Sequence, residues 1–184
     1  MAGDQSGGVQ SGGVTEFLVA APGQLDDVLT VLDEAAAWLR RREVVQWPSR
    51  FEPSWVQGAV RRGEVWLVRV GGTISATVTL DLADRAWDGV PGSALYVHRM
   101  AVRRQAAGLG AVILAWAAGV ARERDLEALR LDCVASNGRL RAYYEAAGFA
   151  HRGDATVAGA PGQRLDEGPV TVVSLYELRL AAAP

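Results

Sequence analysis

The sequence predicts an α/β fold, built on a mixed, mostly antiparallel sheet with one parallel strand pair and helices on both faces. The main observation is the order strand, helix, strand within residues 95–134. Residues 95–102 and 128–134 are rich in strand-forming types, and residues 109–120 are apolar at helical spacing. Two strands joined through one helix pair in parallel by a right-handed crossover. Residues 64–80, which turn at Gly71-Gly72, predict an antiparallel hairpin.

The rest of the chain supplies the outer elements of this fold. Residues 24–42 carry apolar residues along one helical face, with Asp26 and Asp27 in the first turn and arginines in the last, which suits the helix dipole. The other predicted elements are a strand at 16–21, a short helix at 55–61 capped by Ser54, a helix after Asn137, and strands at 149–155 and 170–180. Residues 1–14 are rich in Gly, Ser and Gln. We expect a disordered tail there, followed by a single domain over 15–184.

Composition narrows the classes of function. The formal net charge of −2 argues against a nucleic-acid-binding surface, which is normally strongly basic. The single cysteine, Cys133, excludes an internal disulfide and fits a reducing cytosol. No apolar run reaches the length of a membrane span, and no signal peptide is visible. We therefore expect a cytoplasmic protein with no nucleic-acid partner and no membrane partner.

The turn between the first parallel strand and its helix has the chemistry of an anion site. Gly108 and Gly110 carry no Cβ, so the backbone can bend tightly there and approach a ligand closely. Free N–H groups at the start of the helix point at one spot, and the helix dipole favours negative charge there. A diphosphate would fit this position.

Two motifs carry a resemblance to a known family. Residues 102–110, Val-Arg-Arg-Gln-Ala-Ala-Gly-Leu-Gly, resemble the acyl-CoA-binding signature of the GCN5-related N-acetyltransferases, the GNAT family. Residues 137–149 resemble that family's Asn, short helix, Tyr-Glu and Gly-Phe, in the same order and on matching elements. The resemblance implies a GNAT-like fold in which the parallel strands splay apart. It also implies an acyl-CoA-dependent N-acetyltransferase that uses acetyl-CoA.

The resemblance also implies where the cofactor lies. The pantetheine arm would pair like an added strand with the backbone of Met100, Ala101 and Val102. Backbone N–H groups would hold the diphosphate at Gln105, Ala107, Gly108, Leu109, Gly110 and Ala111. Arg103 and Arg104 could reach phosphate oxygens, or be two solvated arginines. Asn137 would hydrogen-bond the cofactor, cap the helix that follows it, or do both.

Tyr144 and His98 are the candidate catalytic residues. Tyr144 matches the family's general acid, which would give a proton to the departing thiolate; the alternative is that it packs the helix, as Tyr143 would. An imidazole at His98 titrates near neutral pH and could take the proton of the amine. Strand alternation would place His98 on one face with Met100 and Val102. A core histidine, an acidic residue or an ordered water are the alternatives to His98 as the base.

The acceptor site is the least specified part. The resemblance implies a pocket with Trp47 and Trp87, near Phe51 and Trp55, and acids among Asp81, Asp84 and Asp88. Aromatic rings can hold a cation and acids can attract one, so we expect a primary amine of a small molecule or a peptide. No metal is expected, and a monomer and a homodimer both stay open.

Three alternatives to direct acetyl transfer remain at this point. A covalent acyl-enzyme would use Cys133, although a buried apolar role suits its strand position better. A non-catalytic acyl-CoA-binding or regulatory module could share the same fold. A nicotinamide-dinucleotide enzyme would need a third glycine three residues beyond Gly110, where this chain has Ile113.

Overall fold

The computed structural model describes residues 13–44, 46–159, 165–166 and 168–181. Most of the tail predicted to be disordered, residues 1–12, lies outside the described residues. The strands are β1 Thr15–Val19, β2 Val65–Val70, β3 Thr73–Asp81, β4 Ala94–Val102, β5 Ala128–Val134, β6 Ala150–Ala158 and β7 Val170–Arg179. The α-helices are α1 Leu25–Arg40, α2 Pro53–Arg61, α3 Leu109–Glu123 and α4 Gly138–Ala146.

These strands form one seven-stranded sheet in the order β1-β2-β3-β4-β5-β7-β6. The pair β4 and β5 is parallel and every other neighbouring pair is antiparallel, which confirms the predicted mixed sheet. The hairpin of β2 and β3 turns at Gly71 and Gly72, both with positive φ. The predicted order of helices and strands is also confirmed.

Helices cover both faces of the sheet. Helix α3 packs its buried residues, such as Ile113 and Ala117, on a core with Leu95 and Leu129. Helices α1 and α2 pack on the opposite face, around Leu32 and Val56. Helix α2 begins at Pro53 rather than after Ser54, because proline is favoured at the first helical position. The predicted cap at Ser54 is therefore wrong, since Glu52 is the N-cap residue.

The parallel pair of β4 and β5 is short, and the two strands diverge beyond it. Strands β4 and β5 pair only from Ala94 with Ala128 to Val97 with Leu131. Beyond these residues β4 stays with β3 as far as Val102, and β5 stays with β7 as far as Val134. The two strands therefore diverge after Val97 and Leu131 and leave one edge of the end of β4 without a partner strand.

A bulge in β4 lies at the same place. His98 pairs with Thr79 and Ala101 pairs with Thr77, so β4 has one residue more than β3 over this stretch. Arg99 has a φ of 47°, in the left-handed region that non-glycine residues rarely adopt. His98 follows Val97, which packs on the α3 core, so His98 faces away from that core. The bulge after His98 places Ala101 on the same face as His98 and places Met100 and Val102 on the α3 core. The prediction that His98, Met100 and Val102 share a face is wrong, because strict alternation fails at a bulge.

A buried ion pair between Arg130 and Glu177 links β5 to β7. Arg130 on β5 is 2% exposed and donates from Nε to the Glu177 carboxylate on β7 at 2.9 Å. Its other nitrogens donate to the Tyr96 hydroxyl at 3.1 Å and to the Pro91 carbonyl at 2.6 Å. The guanidinium lies 4.9 Å from the ring centre of Trp87. These contacts join β4, β5, β7 and the β3–β4 connection.

Replacing Glu177 by Gln is expected to lower the free energy of unfolding by about 3 kcal/mol, because it leaves the buried Arg130 without its counter-charge. Urea unfolding followed by circular dichroism measures this change. Glu16→Gln is the matched control, because Glu16 pairs with Arg69 on the surface at 3.7 Å and should contribute less than about 1 kcal/mol. Equal effects of the two substitutions would contradict a dominant role for the buried pair.

Candidate active site

A cleft of about 800 Å³ opens where β4 leaves β5. One wall is the end of α1 and the loop after it, and the other is the start of α3 with the first turns of α4. Between them lies the end of β4, at Met100, Ala101 and Val102. The cleft is lined by most of the predicted cofactor residues, namely Met100, Ala101, Val102, Arg103, Arg104, Gln105, Ala107, Gly108, Gly110, Ala111 and Asn137. The structure thus brings together residues that the sequence separates.

The start of α3 forms one end of the cleft. Gly108 is its N-cap residue with a φ of 93°, a conformation that a side chain would strain. Among the described residues, the N–H groups of Gly108, Leu109 and Gly110 donate to no backbone carbonyl. The N–H of Ala111 differs, since it donates to the Gly108 carbonyl at 3.2 Å. The side chain of Leu109 is buried in the core, so only its backbone can serve this site.

Gly110 lies against Tyr143 of α4. A Cβ built on Gly110 would stand 2.9 Å from the Tyr143 hydroxyl oxygen. Glycine at this position thus allows the Tyr143 side chain to lie close against the start of α3. Tyr143 lines the cleft, and its partial burial raises the pKa of its phenol.

The two predicted phosphate arginines have different roles in the structure. Arg103 is held by the Glu34 carboxylate on α1, with donor distances of 2.9 and 3.1 Å, and it also donates to the Ile74 carbonyl. The Arg104 guanidinium lies 4.7 Å from the ring centre of Trp38. Arg42 lies 4.7 Å from the same ring. A cationic group flanked by an aromatic ring therefore stands at the cleft, where it can meet phosphate oxygens.

Asn137 is tied on two sides. Its side-chain oxygen accepts from the Leu140 N–H at 3.2 Å, which makes it the N-cap of α4. Its amide nitrogen donates to Gln46 at 2.8 Å, which connects α4 to the loop after α1.

Trp47 follows Gln46 and lines the cleft, with its ring edge-to-face on Phe51 at 5.4 Å between centroids. Trp87 is 2% exposed inside the core with Tyr96, so its side chain is a core residue rather than part of an open acceptor pocket.

Tyr144 lies behind the cleft rather than in its lining. It is 6% exposed, and its ring is within 5.9 Å of the rings of Phe149 and Tyr176. Burial raises the pKa of its phenol strongly, and the neighbouring Cys133 and Asp132 add to this effect. The hydroxyl is therefore fully protonated at neutral pH. Cys133 is also buried, and burial raises the pKa of its thiol to about 11.

His98 belongs to a cluster at the point where β4 and β5 diverge. Its Nε2 lies 3.9 Å from Oδ2 of Asp84, in the β3–β4 connection. Asp132 of β5 completes the cluster, and one ligand atom from each residue lies within 4.8 Å of the others. Burial lowers the pKa of His98, although the Asp84 carboxylate acts in the opposite direction. Burial, reinforced by Asp84, raises the pKa of Asp132 to about 6.

Several residues of the site were not found from the sequence. Trp38, Arg42 and Gln46 reach the cleft from α1 and its loop, and no motif marks them. Tyr143 was assigned to packing, because the motif singles out its neighbour. Asp132 is an acidic residue inside an otherwise apolar strand, and this was the signal available for it.

Replacing Asp132 by Asn is expected to raise the free energy of unfolding by about 2 kcal/mol near pH 7.5. The folded state raises the pKa of Asp132 from 3.8 to about 6, so it binds the proton more tightly than the unfolded chain does. Its cost to stability therefore develops as the pH rises from 3.8 through about 6. Urea unfolding should show the gain near pH 7.5 and less than about half of it near pH 4.5.

The control is Asp27→Asn, an exposed carboxylate in the first turn of α1, which should change the free energy of unfolding by less than about 0.5 kcal/mol. Loss of stability in Asp132→Asn near pH 7.5 would contradict the prediction.

Sequence comparisons place this chain among known acetyltransferases. Residues 32–149 match the model of the acetyltransferase (GNAT) family. The chain is 30% identical over 172 residues to the uncharacterized N-acetyltransferase YesJ of Bacillus subtilis (strain 168), covering 86% of this chain and 93% of YesJ. None of the described helices is long and apolar enough to cross a bilayer.

Solved structures share the fold. A GNAT-family acetyltransferase from Listeria monocytogenes superimposes with a TM-score of 0.69 at 22% identity, over 90% of this chain and 95% of that one. A putative acetyltransferase from Salmonella typhimurium, solved with its cofactor acetyl-CoA, gives a TM-score of 0.63 at 15% identity, over 93% and 98% of the two chains. The chain therefore belongs to the GNAT family of acetyltransferases, an acyltransferase family that uses acetyl-CoA.

Proposed function

We propose that this protein transfers the acetyl group of acetyl-CoA to a primary amine of a small molecule or a peptide by direct attack. The observation that carries the proposal is the divergence of β4 from β5. This divergence leaves one backbone edge of β4 unpaired. The edge has the free N–H groups at the start of α3 at one end and His98 at the other. A thiol-release assay with acetyl-CoA and a panel of primary amines tests it. Binding of acetyl-CoA without transfer to any amine would favour a non-catalytic acyl-CoA-binding module instead.

The chain offers polar groups for the diphosphate and for the pantetheine arm of acetyl-CoA. The free N–H groups at the start of α3 suit the diphosphate, and the helix dipole adds to the attraction. The unpaired backbone of Met100 to Val102 suits the amide groups of pantetheine, which can bond to it as an added strand would. Arg104 and Arg42 are better placed for phosphate than Arg103, whose guanidinium is held by Glu34. Acetyl-CoA supplies the activated acetyl group as a thioester.

The proposed base is His98. The amine is nucleophilic only when it is neutral, so a proton must leave its nitrogen. Burial lowers the pKa of His98, so its imidazole is neutral at pH 7 and can accept that proton. As the amine nitrogen bonds to the carbonyl carbon, the carbon–sulfur bond breaks and its electron pair goes to the sulfur.

The proposed general acid is Tyr144, which would give its proton to the departing sulfur. Burial keeps the phenol protonated, and a protonated donor is needed at this step. Such catalysis typically contributes about 10²–10⁴-fold to the rate. Direct attack is favoured over an acyl-enzyme, because the Cys133 thiol is buried and its pKa of about 11 leaves little thiolate at neutral pH.

The adjacent tyrosines give a matched pair for testing the acid. Tyr144→Phe is expected to lower kcat by about 10²-fold with little change in the Kd of acetyl-CoA, because it removes only the buried proton donor. Tyr143→Phe keeps the ring that lines the cleft and should retain kcat within about threefold. Steady-state kinetics and calorimetric titration of acetyl-CoA measure both. The reverse pattern would move the acid role to Tyr143.

The glycines of α3 give a matched pair for testing the cofactor site. Gly110→Ala is expected to weaken acetyl-CoA binding about tenfold, because the new Cβ would push the Tyr143 hydroxyl out of place at the cleft. Gly119→Ala in the same helix meets open space, and alanine there should stabilise the protein by about 1 kcal/mol without changing the Kd.

The double variant Gly110→Ala with Tyr143→Phe removes the hydroxyl that the Cβ would meet. We expect it to recover part of the lost affinity in the same titration. No loss in the single variant, or no recovery in the double variant, would contradict this account of the contact.

A further inference from the structure

We propose that Asp84, His98 and Asp132 form the subsite for the ammonium group of the acceptor and select primary alkylamines that carry no carboxylate beside the nitrogen. The inference rests on the proposed function and adds a substrate class to it. The three residues come from the β3–β4 connection, β4 and β5, and their ligand atoms lie within 4.8 Å of one another.

The location of the cluster connects it to the reaction. Val97 and Leu131 are the last paired residues of β4 and β5, and His98 and Asp132 follow them directly. The cluster therefore stands where the strands separate, two residues along β4 from the cleft residue Met100. It lies on the face of Ala101, whereas Met100 and Val102 pack towards α3. An amine held there approaches the unpaired end of β4 from the face opposite α3.

Acidic groups outnumber cations around the cluster. Oδ1 of Asp84 accepts from the Ala86 N–H at 2.9 Å, but Oδ2 is buried and has no hydrogen-bond partner. No arginine among the described residues forms an ion pair with Asp84 or Asp132. Two further carboxylates, Asp81 and Glu64, and one cation, Arg99, act on His98 from nearby elements. The cluster thus has net negative charge and an unused acceptor atom, both of which suit a cation.

The number of acceptors in the cluster suits an ammonium group. Two acceptors that each hydrogen-bond one tetrahedral nitrogen at about 2.9 Å lie roughly 4.7 Å apart. Two ligands of a tetrahedral Zn²⁺ at about 2.1 Å lie only roughly 3.4 Å apart. The distance from His98 Nε2 to Asp84 Oδ2 is 3.9 Å, which lies between these two values, so this spacing does not by itself distinguish an ammonium from a metal ion. A primary ammonium has three N–H donors, which equals the number of acceptors in the cluster.

The same arrangement gives selectivity. An acceptor with a carboxylate on the carbon next to its nitrogen would bring that carboxylate close to Asp84 or Asp132. Neighbouring like charges repel strongly in a partly buried site. The parent amino acid of an amine should therefore be a much poorer acceptor than the amine itself. The stability lost by burying Asp132 is the cost of a preformed site for positive charge.

The experiment compares matched acceptors with acetyl-CoA as donor. The pairs are isobutylamine with valine, tyramine with tyrosine, and phenethylamine with phenylalanine, in which each member has one amine and the two members differ by one carboxylate on the α-carbon. We expect kcat/KM to favour the decarboxylated member at least tenfold in every pair that turns over. Transfer that favours the amino acids would overturn the inference and leave the proposed function standing. No transfer to any member, with acetyl-CoA binding intact, would overturn both for small amines.

Variants then assign the selectivity to the cluster. Asp84→Asn and Asp132→Asn should each raise the KM for the preferred amine at least tenfold, while the KM for acetyl-CoA stays within about twofold. Asp27→Asn, an exposed carboxylate on α1, should change neither. An unchanged KM for the amine in both cluster variants would overturn the inference. So would calorimetric binding of Zn²⁺ to the chelator-treated protein that is lost in Asp132→Asn, since it would assign the cluster to a metal.

Discussion

The separation of β4 from β5 after Val97 and Leu131 is the constraint on which the rest of the site depends. Strand backbones need hydrogen-bond partners, and each strand finds one on its outer side, in β3 or in β7. The inner edge of β4 is then free beside the start of α3, which carries its own unpaired N–H groups. A ligand with amide and phosphate groups can satisfy both sets of donors and acceptors. The proposed acetyl-CoA site therefore depends on backbone geometry more than on particular side chains.

The contacts around the split hold it in place. The Arg130–Glu177 pair joins β5 to β7, and Arg130 also reaches Tyr96 at the paired part of β4. On the other side, Arg103 ties the end of β4 to α1 through Glu34. His98 lies on the face of Asp84 and Asp132, and the bulge at Arg99 turns Met100 and Val102 to the α3 core on the opposite face. Each strand is thus held by its outer neighbour.

Asp132 is the most costly group in the site for folding stability. In the sequence, only its position inside an apolar strand points to it. A carboxylate on a buried strand lowers stability unless a cation or a proton compensates for it. Among the described residues Asp132 makes no ion pair with an arginine, and it shares its surroundings with Asp84 and His98. The expected acceptor aromatic, Trp87, packs instead under Arg130 in the core. The polar character of the acceptor side therefore comes from the cluster rather than from a tryptophan.

The sequence by itself determined the order of elements, the parallel pair and the phosphate turn, because these depend on local periodicity and on glycines close together in the chain. The two motifs also identified the family and most of the residues that line the cleft. Only the tertiary structure decided which tyrosine faces the cleft, which arginine is free for phosphate, and that a bulge puts Met100 and Val102 on the face opposite His98. It also brought Asp84, His98 and Asp132 together from three elements. These features depend on register and on contacts between distant segments, and periodicity along one segment carries no information about them.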